Sequence, residues 1–137
     1  MVQSREGGPE VALTDVGFGV SQILPVIVLL YYVPEGSTVI LEQPEIHLHP
    51  SAQAELADLI INVSYRRGIQ IIIETHSEHL LLRLQRRVAE EELESERLKI
   101  YYSEAKRAQS NLRELEIDEF GQLSNWPTNF MGDAFGE

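Results

Sequence analysis

Thr38-Val-Ile-Leu-Glu-Gln-Pro-Glu-Ile-His-Leu-His-Pro50 decides how the rest of the chain is read. Thr38 to Leu41 have strand-forming character, and two polar residues, Glu42 and Gln43, follow directly. Pro44 then ends the strand, because proline has no N–H for a ladder and fixes its own φ. A strand that delivers acids at its carboxyl end is the usual way an open α/β sheet presents metal and phosphate ligands. Pro50 suits the first position of a helix. Residues 51–65 place apolar side chains at 52, 56, 59, 60 and 63, the spacing of an amphipathic helix that Gly68 ends. Ile69-Gln-Ile-Ile-Ile73 is a short β-branched run, as expected of a strand covered on both faces, and it leads into Glu74-Thr75-His76-Ser77. Strand, helix, strand predicts a parallel α/β unit with Glu42, Gln43 and His76 emerging at one sheet edge.

Upstream, residues 1–12 are polar and broken by Gly7-Gly8-Pro9, which predicts a flexible segment. Asp15 to Gln22 holds two glycines and Ser21, a good N-cap for an apolar helix over Gln22–Tyr32. Pro25 would fall in the first turn of that helix, which is apolar nearly all round and expected to be buried. Downstream, Ser77 would cap a helix over Glu78–Glu94, with Leu80, Leu81, Leu84 and Val88 inward and an acidic, solvated end. Leu98–Tyr102 reads as a third strand and Ser103–Ser110 as a loop. Leu112–Asp118 and Gly121–Pro127 read as a hairpin. The expected fold is α/β, a mostly parallel sheet flanked by helices over 13–103, with a small antiparallel carboxyl-terminal extension over 104–137.

Composition narrows the function classes. The 137 residues can enclose a single core. A formal charge of −11 works against unaided binding to a nucleic-acid backbone, which rests on Lys and Arg displacing counterions. Cysteine is absent, so a disulfide framework and a cysteine-ligated zinc site are both excluded. The apolar run from Ile23 to Val33 is far shorter than the roughly 20 residues of a bilayer span, so a soluble, cytoplasmic protein without a membrane is expected.

The strand-forming Thr38 to Leu41, followed by Glu42-Gln43-Pro44-Glu45 and His47-Leu48-His49-Pro50, resemble the Walker B and D-loop segment of ATP-binding-cassette (ABC) ATPases. The form is that of the SMC-like and overcoming-lysogenization-defect branch of these AAA-family enzymes, whose common pattern is Asp-Glu-Pro-Glu and then His-Leu-His-Pro. The resemblance covers Leu13 to about Leu84 and implies the carboxyl-terminal half of a P-loop nucleotide-binding domain, acting on ATP with Mg²⁺. It implies that Glu42 supports Mg²⁺ through a water and that Gln43 occupies the catalytic glutamate's position. A neutral amide orients a water there but accepts no proton, which predicts slow hydrolysis. Glu45, two residues on, is a candidate substitute base. His76, flanked by Thr75 and Ser77, matches the switch histidine that contacts the γ-phosphate and the attacking water. Gly19, Ser21 and Gln22 match the signature segment, whose serine and helix N-terminus meet a nucleotide held by the opposite subunit. Asn125-Trp126-Pro127, with Phe130 and Phe135, resembles an extra module in one prokaryotic branch of the family.

A P-loop needs Gly-x4-Gly-Lys-[Ser/Thr]. The two lysines here, Lys99 and Lys106, lie in no Gly-rich turn. The expected partner is therefore a P-loop-bearing half, or a second copy of the chain, with DNA reached only through other subunits. The expected setting is prokaryotic DNA repair or phage defence. Two rival readings remain. One is a metallohydrolase using His47 and His49 with His76 or His79, since imidazole suits zinc. The other is a non-catalytic dimerisation or scaffold module that keeps an ATPase half-fold.

Overall fold

The computed structural model describes residues 2–3, 10–11, 18–106 and 109–125. The expectations placed on Asp15, Gly17, Trp126, Pro127, Phe130 and Phe135 lie outside the described residues. The chain divides into two compact units, residues 1–80 and 81–137.

In the first unit, Val2–Gln3 (β1) pairs antiparallel with Glu10–Val11 (β2), so part of the segment read as flexible forms a short ladder. The helix Phe18–Tyr32 (α1) begins earlier than its sequence suggests. Ser21 is inside it rather than capping it, and Pro25 lies mid-helix, where it has no N–H to give the carbonyl four residues back. The expectation of a buried helix is also corrected. Leu30 is fully enclosed, but Val28, Leu29, Tyr31 and Tyr32 are exposed.

Thr38–Glu42 (β3), Pro50–Arg67 (α2) and Gln70–Glu74 (β4) form the expected strand-helix-strand unit. β3 and β4 pair in parallel with Thr38 opposite Gln70 and Glu42 opposite Glu74. Val39 and Leu41 are buried on one face of β3, while Ile40 and Ile72 of β4 are open on the other. The covering of both faces that the β-branched run predicts is thus present on one side among the described residues. The bounds of α2 follow from its ends. Pro50 opens it, with His49 as N-cap accepting the Ser51 N–H on Nδ1, and Gly68 closes it at φ 61°, in the left-handed region. Leu56, Ala57, Ile60 and Val63 form its buried stripe. Arg67, in its last turn, reaches across to donate to the carbonyls of Leu30 in α1 and of Val33 just past its end, at 2.7 and 2.6 Å.

Glu78–Ala89 (α3) starts at the end of the first unit, and most of it belongs to the second. It stops five residues short of the expected Glu94. The acidic stretch that follows is exposed at Glu90, Glu91, Glu92, Glu94 and Glu96. The Arg86 side chain, with Arg87 beside it, holds the Glu90 carboxyl below its usual range. Ile100–Lys106 (β5) and Gln109–Leu115 (β6) then pair antiparallel over seven residues each. That overturns two expectations. The third strand pairs with β6 rather than extending a parallel sheet, and most of the region read as a loop, 103–110, is ladder. The hairpin expected further on reduces to a single bridge, Ile117 to Leu123. Leu81, Leu115 and Leu123 form a small core with Ile100, Tyr102 and Ile117 against it. Gly121 is obligatory there, for its φ is 74° and an added Cβ would sit 2.1 Å from the Gln85 carbonyl oxygen.

Candidate functional site

The end of β3 is held to the end of β4 by a local reversal of the chain. Gln43 follows Glu42 at φ 45°, an unusual conformation for a residue with a side chain, and His47 repeats it at φ 66°. Such outliers persist where the surroundings over-determine them. Here the Gln43 N–H donates to the Glu74 carbonyl at 2.8 Å, extending the ladder by one bond past the strand. Its side-chain amide donates to Glu74 Oε1 at 3.2 Å. His76 Nε2 lies 3.4 Å from the same oxygen. Gln43 and His76, named from sequence, therefore meet on a third residue that the sequence reading passed over. Glu74 was legible in principle, because aligning the two strands by their polar ends sets it opposite Glu42.

Glu45 points the other way. It is 6% exposed, in a chain whose other described acids are mostly solvated. Its Oε1 accepts the Thr75 hydroxyl at 2.5 Å and the His76 backbone N–H at 3.0 Å, while Oε2 is buried with no hydrogen-bond partner. A ring of bonds continues from this carboxyl. The Ser77 N–H donates to Thr75 Oγ1, and the Ser77 hydroxyl donates to Gln53 Oε1 at 2.6 Å. Gln53 Nε2 donates to the Leu48 carbonyl, and the Leu48 N–H returns to the Glu45 carbonyl. Ser77 also caps α3 by accepting the Leu80 N–H, as its position predicts. The 43–49 loop, the first turn of α2 and the 75–77 segment are thereby one hydrogen-bonded assembly.

Gly19, Ser21 and Gln22 lie in the first turns of α1 as described, near where a helix has N–H groups without intrahelical partners. A Cβ on Gly19 would lie 3.3 Å from the His47 carbonyl oxygen, so this glycine permits the helix to approach the 47–48 backbone. That brings the candidate signature residue beside the loop that carries Gln43 and Glu45.

Among the described residues, no group of three or more His, Cys, Asp or Glu could hold a metal. His49 Nδ1 is engaged with the Ser51 N–H and hydroxyl, and His76 is turned to Glu74. The histidines of the metallohydrolase reading are therefore not gathered. Mg²⁺ asks less of a protein, commonly one or two carboxylates with phosphate oxygens and waters. Exposed Glu42, at the carboxyl end of β3, fits that more modest demand.

Among the described residues, no helix is long and apolar enough to cross a membrane. Comparison with the curated proteins gives no match. Residues 93–137 match a family described as "Protein of unknown function (DUF3696)". Residues 3–83 match the AbiEii-toxin-like AAA domain of type IV toxin–antitoxin systems, a span that holds α1, β3, β4 and every candidate residue above. With more than half of its length inside that match, the chain belongs to this AAA domain family and carries an ATPase-like domain.

Proposed function

We propose that this protein contributes the signature, Walker B and switch elements of an ABC-type, SMC-like ATPase site, which a P-loop-bearing segment completes. The observation that carries the reading is the meeting of Gln43 and His76 on Glu74, at the carboxyl ends of two parallel strands. In an open α/β sheet that edge is where ligands bind. Glu42 would hold Mg²⁺ through a water, and the ion would neutralise phosphate charge and polarise the γ-phosphoryl group. His76, on the same edge, would reach a γ-phosphate and the water that attacks it. Glu45 acts as the anchor of the switch segment: its burial and its bonds to Thr75 and His76 support holding rather than proton transfer. Gly19, Ser21 and Gln22 would meet a nucleotide bound by the opposing subunit. The description of the matched family favours phage defence of the toxin–antitoxin kind over DNA repair as the setting.

P-loop amides and the P-loop lysine supply the cradle for nucleotide phosphates, and this sequence has neither. The chain alone should therefore bind Mg-ATP weakly or not at all, and binding should appear when a P-loop-bearing segment is supplied. Calorimetric titration of each checks this. Tight binding by the chain alone overturns the reading. Assembly with the P-loop segment without any nucleotide binding favours the scaffold alternative instead.

A further inference from the structure

We infer that Glu74 is the general base of this site, replacing the carboxylate that position 43 lacks. The inference rests on the ATPase reading above and goes beyond it in naming the proton acceptor. Gln43 cannot take a proton from water at neutral pH, since an amide is no useful base. Yet its left-handed backbone turns its side chain onto β4, where Nε2 donates to Glu74 Oε1 at 3.2 Å. His76 Nε2 approaches the same oxygen at 3.4 Å. Both neighbours fall on Oε1, so Oε2 is the oxygen left to receive a water. The carboxylate is thus one strand away from where a glutamate at 43 would stand, and the amide fixes its rotamer. Burial separates it from the other candidate. The side chain of Glu74 is 55% exposed, whereas Glu45 is 6% exposed with Oε1 already committed to two donors. Glu42, its partner in register, is on the same open face and has the metal-supporting role, so the two neighbouring acids divide the work.

The step balances simply. Glu74 accepts a proton from the water as the water oxygen bonds to the γ-phosphorus. The bond from that phosphorus to the β–γ bridging oxygen breaks, its electron pair leaves with ADP, and the proton is released to solvent with inorganic phosphate. A positioned base typically accounts for about 10²–10⁴-fold in rate.

The test uses the full chain assembled with its P-loop-bearing segment, read by steady-state phosphate release and by retention of radiolabelled ATP. Glu74→Gln should lower turnover by about 10²–10⁴-fold, keep ATP binding, and lengthen the life of the ATP-loaded complex. The double variant Gln43→Glu with Glu74→Gln mirrors the pair, placing the carboxylate at 43 and the amide at 74, and should recover turnover. Glu74→Gln hydrolysing at the parental rate overturns the base assignment and leaves the ATPase reading standing. Loss of ATP binding in Glu74→Gln also overturns it, by giving the residue a structural or metal-supporting role. An unsubstituted complex that binds no ATP overturns the ATPase reading and this inference together.

Discussion

Glu45 shows how one buried residue can tie a loop to a neighbouring strand end. Its Oε1 satisfies two donors from the 75–77 segment, and its Oε2 is enclosed without a partner. Removing the carboxyl leaves the Thr75 hydroxyl and the His76 N–H unsatisfied in a poorly hydrated place, at about 1–3 kcal/mol for such a group. Glu45→Ala should therefore lower the unfolding free energy by about 2–3 kcal/mol. Glu45→Gln keeps one acceptor oxygen and removes the charge, so its loss should stay below about 1 kcal/mol. Urea titration of the two variants checks the ordering; equal losses would mean that the bonds to Thr75 and His76 contribute little. In a completed ATPase, Glu45→Gln should also turn over at near the parental rate, since the carboxylate's role there is to accept bonds. Gln43, Glu45 and His76 were all nameable from sequence, because a polar residue just past an apolar strand is conspicuous. Their arrangement was not. It depends on two backbone turns, at Gln43 and His47, in a conformation that neither residue type prefers.

At the scale of elements, what was legible follows the strength of the end signals. α2 has a proline at its first position and a glycine in the left-handed region after its last, so its bounds match the sequence reading closely. α1 offered misleading signals. Gly17, Gly19 and Ser21 look like a turn and a cap, but Gly19 is helical and serves a close approach to His47. The pairing of β5 with β6 was missed because residues 103–110 are polar and read as a loop, with no apolar alternation to carry the two strands toward each other. Capping between elements was equally invisible. Arg67 closes the carboxyl end of α1 from 34 and 37 residues away, with two bonds no longer than 2.7 Å. Charged donors to carbonyls contribute about 1.5–3 kcal/mol each. Arg67→Ala should cost about 2–4 kcal/mol in all, and Arg67→Lys about half of that, since one ammonium cannot span both carbonyls as a guanidinium fork does. Thermal or urea unfolding measures both. A loss within about 0.5 kcal/mol for Arg67→Ala would place this contact among ordinary surface pairs.

For the molecule as a whole, the informative feature is apolar surface left open in the first unit. Ile40 is 68% exposed and Ile72 49%, on one face of a two-stranded parallel sheet, while Tyr32 at the end of α1 is 84% exposed. Parallel sheets are found with both faces covered, and a two-stranded sheet is marginal by itself. The sequence agrees, since Val39-Ile40-Leu41 and Ile71-Ile72-Ile73 are apolar on both faces, a pattern that has no use where one face meets water. An open apolar face on a parallel strand pair is a surface suited to association. The chain alone should therefore hide this face by self-association, giving a light-scattering mass that rises with concentration. Replacing Ile40 and Ile72 together by Lys should return it to a monomer, and because neither residue is buried, the first unit should stay folded by circular dichroism. Both changes should also abolish pairing with a P-loop-bearing segment, which ties solution behaviour to function. A parental chain that remains monomeric at high concentration and binds no apolar dye would mean that the face is covered by residues of the chain itself.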